Sequence, residues 1–187
     1  MSTSLFALGL GASPDGGTSR SGALLNIALS LLGERGARVE RHDLAALPAH
    51  GLLGRTRSPQ VDAVIGAIGR ADVVLVATPI YRATYSGLLK VFFDLLPNAA
   101  LAGKVAIPIA SGGSLAHQLA LDHGLRLLLA SVGAVVVATG IYAAPEQFQD
   151  GEPDVTVVER IERAVAESFA LTRGAAPQRP ELISHER

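Results

Sequence analysis

Short runs made almost wholly of apolar residues alternate with amphipathic helical segments along this chain, and that alternation constrains its fold more than any other feature. The run Val73-Val-Leu-Val-Ala77 is the clearest. It is β-branched or apolar at every position, the signature of a strand buried on both faces. Residues 5–9, 105–110 and 134–141 are of the same kind, and residues 37–42 read as a strand by their alternation. Helical spacing fills the intervals. Leu24, Leu25, Ala28, Leu31 and Leu32 lie on a helix that starts at Ser21 and is ended by Gly33 and Gly36. Ser58 followed by Pro59 is a capped start for a helix running to about Gly69. Residues 86–96, stopped by Pro97, then 114–132 and 154–172 complete the set, while 43–57 are irregular and broken by Pro48, Gly51 and Gly54.

Five strands alternating with five helices predict a parallel sheet covered on both faces, a three-layer α/β sandwich. The expected strand order is 2-1-3-4-5, with a ligand at the carboxyl ends of the strands where the order reverses. A chain of 187 residues that is 49% hydrophobic has ample material for one core. We expect one domain over 1–173 and a polar tail over 174–187, carrying Pro177 and Pro180, that is loose or serves as an oligomer arm. A formal net charge of -1 offers neither the basic field of a nucleic-acid binder nor an acidic docking tail. The absence of cysteine removes thiol catalysis, disulfides and Cys-ligated metals, and suits a reducing cytoplasm. No membrane span is expected: the first apolar run is too short, and residues 115–137 carry His117, Asp122, His123 and Arg126.

Three loops that follow strands one, three and four should converge on one edge of such a sheet. In the first, residues 11–21, Ser13, Thr18, Ser19 and Ser21 bring hydroxyls, Gly16 and Gly17 bring N–H groups, and Arg20 brings charge to a helix N-terminus. That is phosphate-binding chemistry, although a helix cap in a polar turn needs many of the same residues; the place after the first strand favours phosphate. In the second, residues 78–87, Tyr81 and Tyr85 could wall a planar ligand, Pro79 stiffens the approach, and the backbone of Ile80 to Arg82 suits a heterocycle edge. A surface turn with tyrosines packed on the next helix is the alternative. In the third, Ser111, Gly112, Gly113 and Ser114 permit either close backbone approach to a ligand or simply a tight turn. His117 and His123 have only Asp122 for company, so a metal site is not expected there. Pro14 occupies the third glycine position after Gly9 and Gly11, which spoils the dinucleotide fingerprint, and neither a Walker A motif nor a Gly-x-Ser-x-Gly elbow is found.

The motifs themselves carry a resemblance. Ala12-Ser-Pro14 with Ser19-Arg-Ser21, the block Ala77-Thr-Pro-Ile-Tyr-Arg-Ala-Thr-Tyr-Ser-Gly-Leu-Leu-Lys90, Leu95-Leu-Pro97, Leu101-Ala-Gly-Lys104 and Ser111-Gly-Gly-Ser-Leu-Ala-His117 together resemble the NAD(P)H-dependent FMN reductases. The likeness spans residues 4–145 and is strongest to the reductases of alkanesulfonate and methanesulfonate utilisation. It implies a flavodoxin-like fold with FMN as cofactor, NADPH or NADH as hydride donor, and delivery of reduced FMN to a separate monooxygenase. It implies that Ser13, Ser19, Arg20 and Ser21 take the phosphate, with Thr18 beside them by its hydroxyl. Pro79, Ile80, Tyr81, Arg82, Ser111, Gly112, Gly113 and Ser114 would surround the isoalloxazine, with negative charge on the reduced ring met by the N–H groups of Gly112 and Gly113.

The resemblance further implies a homotetramer in which the helix from Ser114 packs across subunits, with Tyr85, His117 and His123 near the flavin or the interface. His123 stands where alkanesulfonate-type relatives have an inserted tyrosine, as it does in the methanesulfonate-type relatives. Two rival activities share these features: a quinone, azo or chromate reductase with retained FMN, and a non-enzymatic electron carrier.

Overall fold

The computed structural model describes residues 4–174. Its elements in chain order are β1 (Phe6–Gly11), α1 (Arg20–Glu34), β2 (Arg38–Asp43), α2 (Ala49–Leu52), α3 (Pro59–Arg70), β3 (Val73–Tyr81), β4 (Thr84–Tyr85) and α4 (Gly87–Phe93). They continue with β5 (Val105–Ser111), α5 (Leu127–Ser131), β6 (Val135–Val136), β7 (Ile141–Ala143), β8 (Phe148–Gln149), β9 (Glu152–Pro153) and α6 (Val155–Gly174). The tail expected over 174–187 lies, beyond Gly174, outside the described residues. No helix among them is long and apolar enough to cross a membrane.

The main sheet runs β2-β1-β3-β5-β6, with β7 also on β5, and every one of these pairs is parallel. This is the expected order once β6 and β7 are taken as two pieces of one edge strand. Alternation along β3 shows why its run is apolar throughout: Val74 and Val76 face one core, Val73, Leu75 and Ala77 the other. The first core packs Leu8, Leu10, Ile68, Leu89 and Phe92 on the side of α3 and α4. On the opposite face Leu24, Leu25 and Leu32 of α1 and Ile161 and Val165 of α6 cover the sheet.

Local signals place several ends. Ser58 caps α3 by accepting from the Val61 N–H, with Pro59 in the first turn. Lys104 Nζ donates to the Gly69 and Ala71 carbonyls at the far end of that helix, 2.9 and 2.8 Å away. Ser86 caps α4, which is shorter than expected and ends at Phe93.

Two expected elements are broken. The helix expected over 114–132 is a 3-10 turn (Leu115–His117), a π-helical stretch (Leu121–Arg126) and then α5. Leu121, Leu125 and Leu129 are buried at four-residue spacing, wider than the about 3.6 residues of an α turn, and the widened π turn keeps them on one face. The strand expected over 134–141 stops at Val136 and resumes at Ile141. In the gap the Val137 N–H still donates to the Ala106 carbonyl, and side chains supply the further partners: Arg126 donates to the Val137 and Ala138 carbonyls, and Glu167 accepts from the Thr139 N–H and hydroxyl. The two short antiparallel pairings, β3 with β4 and β8 with β9, are additions that the periodicity did not signal.

Candidate functional site

Sheet register brings the three loops together. Gly11 pairs with Ala77, Pro79 with Ser111, and Ser111 with Ala143, so β1, β3, β5 and β7 end along one edge. The Ala12 N–H still donates to the Ala77 carbonyl at 2.7 Å. Thr78, Pro79 and Ile80 belong to β3 itself, a correction to the loop expected from residue 78. Proline is tolerated there because β1 pairing ends at Ala77, leaving no donor position to lose on that side.

The loop after β1 folds on itself before α1 begins. Ser13 is buried; its carbonyl accepts from the Gly16 N–H at 3.0 Å and its Oγ from the Asp15 N–H at 3.3 Å. The Gly16 N–H, expected to be free, is therefore engaged, whereas Gly17 is exposed. Thr18 Oγ1 donates to the Asp15 carbonyl at 2.9 Å. Ser19 is the helix cap: its Oγ donates to the Gly16 carbonyl at 2.9 Å and accepts from the Gly22 N–H at 3.1 Å, with the buried Ser21 hydroxyl 3.3 Å away. The cap reading thus holds for Ser19. Capping satisfies Gly22 and leaves the N–H groups of Arg20 and Ser21 without an intrahelical acceptor. The Arg20 side chain is exposed and holds no partner among the described residues.

Two residues beside this loop escaped sequence reading. Arg41 of β2 donates to Asp43 at 2.7 Å, to the Gly22 carbonyl at 3.3 Å and to Asn26. It lies half-buried alongside Gly17. Nothing local in a surface-edge strand marks that role; only the β1–β2 pairing reveals it.

The second loop is a tight hairpin. Ile80 pairs with Tyr85 and Tyr81 with Thr84, leaving Arg82 and Ala83 as a two-residue turn at φ 50° and 66°. Consecutive left-handed residues are the requirement of a type I′ turn, which glycine or asparagine usually meets. Holding arginine and alanine there costs on the order of 1–2 kcal/mol per residue. The hairpin is pinned from below. The Ser86 N–H donates to Thr78 Oγ1 at 3.0 Å, and Ser86 Oγ donates to the Ala12 carbonyl at 2.7 Å, all fully buried. Ser86 thereby ties the second loop to the first. Tyr81 is about half exposed (47%) at the hairpin edge, and Thr84 and Tyr85 lie against Gly124 of the π-helical stretch.

The third loop is shaped by the third tyrosine, Tyr142, which sequence reading passed over. Its hydroxyl donates to the Ser114 carbonyl at 2.6 Å and lies so close to Gly112 that a Cβ there would sit 2.1 Å from it. Burial, with Glu146 nearby, raises the Tyr142 pKa above a tyrosine's ordinary value. The Gly112 N–H donates to the Ala143 carbonyl at 3.3 Å, so it is not aimed at a ring as expected; Gly113 is the exposed member of the pair. His117 folds its side chain against Gly112 and Gly113. His123 is exposed, and among the described residues no group of three His, Asp or Glu side chains is placed to hold a metal. Ser13, Ser19, Arg20, Ser21, the hairpin and Ser111 to Ser114 are therefore brought to one edge, with His117 at its border.

The edge carries an exposed cation and free N–H groups at a helix start, an exposed tyrosine and a glycine step. Comparison with known proteins gives the family. The family model described as NADPH-dependent FMN reductase matches residues 7–149. An FMN reductase (NADPH) of Pseudomonas putida is 36% identical, over 96% of this chain and 92% of its own length. The NADH-dependent FMN reductase SfnF of Pseudomonas fluorescens is 38% identical over 72% of this chain and 76% of its own. A crystal structure of the NADH:FMN oxidoreductase EMOB in its apo form superimposes with a TM-score of 0.81 at 33% identity, covering 94% of this chain and 92% of that one. Fold, edge and likeness converge: the chain belongs to the family of NADPH-dependent FMN reductases.

Proposed function

We propose that this NAD(P)H:FMN oxidoreductase holds FMN along the shared edge of β1, β3 and β5 and releases it reduced to a separate monooxygenase in the cytoplasm. The observation that supports this most is the pairing of an unpartnered Arg20, at the start of a 15-residue helix, with a hairpin and a glycine step fastened to the same edge. Arg20 and the N–H groups of the first turn of α1 bind the phosphate, with Ser13, Thr18, Ser19 and Ser21 shaping the loop around it. Pro79, Ile80, Tyr81 and Arg82 on one side and Ser111, Gly112, Gly113 and Ser114 on the other bound the ring. Flavin supplies the hydride acceptor for the nicotinamide, so the protein needs only to position the two and exclude water. Tyr81 covers apolar surface beside the ring, and Gly113 allows close backbone approach. No side-chain nucleophile is required.

We further propose a homotetramer. Leu115, Leu119 and Leu127 are 49%, 64% and 61% exposed along the segment that carries His123, an apolar stripe that a second copy would cover by symmetric contacts. Tyr85 and His123 would then sit at the subunit border, next to the flavin.

Steady-state oxidation of NADPH and of NADH, each with free FMN or a quinone as acceptor, tests the activity. A rate that saturates with added FMN is expected. A rate that ignores free FMN and follows the quinone identifies a retained-flavin reductase, and no hydride uptake on rapid mixing identifies a carrier; either overturns the reading. Light scattering at micromolar protein should report a tetramer, and a monomer would remove the interface.

A further inference from the structure

A cavity of about 270 Å³ lies between the π-helical stretch, the interrupted strand and α6. Three arginines line it: Arg126, Arg160 and Arg163. Arg126 is held rigidly, donating to the Val137 carbonyl at 2.6 Å, the Ala138 carbonyl at 3.1 Å and Asp122 at 3.2 Å. Arg160 and Arg163 are exposed, three residues apart and so on one face of α6, and neither has a hydrogen bond or ion pair among the described residues. Both nearby carboxylates are occupied. Asp122 is paired with Arg126, and Glu167 takes the Thr139 N–H at 2.8 Å and the Thr139 hydroxyl. Glu159 and Glu162, also on α6, form no ion pair with these arginines. Among the residues that line the cavity, three arginines stand against one carboxylate, Asp122.

We propose that this hollow is a second anion site, taking a small, doubly charged tetrahedral oxyanion of the phosphate type. Guanidinium groups match such an anion through paired N–H donors. Two neighbouring cations with no carboxylate paired to either repel each other, and an anion between them relieves that repulsion. Pockets for drug-sized ligands run to roughly 300–1,000 Å³, so this one accommodates the anion with only a few further atoms. Tyr142 lines the cavity while its hydroxyl holds the Ser114 carbonyl, so the hollow shares a wall with the third flavin loop. The inference stands apart from the flavin reading.

Calorimetric titration of inorganic phosphate into the FMN-saturated protein, with ionic strength held constant by chloride, tests it. Saturable binding is expected, weakened at least tenfold in the double variant Arg160→Ala, Arg163→Ala and less when both are changed to lysine, which keeps the charge but not the paired donors, with FMN affinity unchanged in each. Adenosine 2′,5′-bisphosphate and glycerol phosphate distinguish the sources: tighter binding of the bisphosphate identifies a nucleotide phosphate, and equal binding a free or simple phosphate. Absence of saturable phosphate binding, or binding equal in wild type and the alanine variant, overturns the site. If FMN fails to bind, the flavin reading falls, and the same titration on flavin-free protein still decides this one by its dependence on Arg160 and Arg163.

Discussion

Between residues 5 and 96 each strand runs unbroken into the loop that follows it, whereas between residues 111 and 143 neither the expected helix nor the expected edge strand is continuous. Both regions contribute a wall to the same edge. The first does so with ordinary parts: a capped helix, a buried strand and a hairpin tied down by Ser86. In the second region, backbone groups are satisfied by side chains distant in sequence, with Arg126, Glu167 and Tyr142 each bonding to residues 11 to 28 positions away. Regular elements hold their shape by local pattern and survive the loss of single contacts. Irregular ones depend on a few specific bonds, so substitutions there should cost more structure.

The sharpest break of that comparison is Arg126→Ala. It removes two charged donors from the interrupted strand, each hydrogen bond of this kind being worth about 1.5–3 kcal/mol. Stability measured by denaturant should fall by about 2–3 kcal/mol; a change within about 0.5 kcal/mol would mean that the strand break is held by packing instead. In the regular half, Arg20→Ala should leave stability alone and weaken FMN, by the about 1.5–3 kcal/mol of a charge-assisted contact, roughly tenfold to a hundredfold in Kd. Fluorescence quenching of FMN measures it, and unchanged affinity would move the phosphate elsewhere.

Ser86→Ala sharpens the comparison from the regular side. The variant loses a cap and a buried bond to the Ala12 carbonyl, about 1–2 kcal/mol in thermal or denaturant unfolding. Tyr142→Phe is the smallest change, about 1 kcal/mol for one neutral hydrogen bond. It also has a pH signature. Because the folded-state pKa of Tyr142 is raised, the unfolded chain loses that proton first. Its contribution is therefore complete below the ordinary tyrosine pKa and declines as pH rises past it. Wild type should lose stability more steeply than Tyr142→Phe above about pH 10; parallel curves would show that the hydroxyl is not held in the fold.

Much of this site was legible in the residues. Hydroxyls, glycines and Arg20 after an apolar run marked the loop that leads into α1, and the block from Ala77 to Lys90 marked the segment that holds the hairpin, though not the hairpin itself. Thr78 and Ser86 lay within that block, but nothing distinguished them from the other hydroxyls until their mutual bond and burial were seen. Arg41 lay unremarked within the second expected strand, and Tyr142 just past the end of the fifth. Their roles come from partners distant in sequence, which periodicity does not encode.

The sequence by itself determined the layered α/β class, the order of the principal strands and the loops that meet at their ends, because burial on one face or two imposes a period on the chain. Only the tertiary structure decided where the helix after Ser114 widens, where the last strand stops, which N–H groups of the loops are already engaged, and that three arginines gather round one hollow. Those outcomes depend on which side chains reach a given backbone group or cavity. That is a property of packing in three dimensions, with no counterpart in the local pattern.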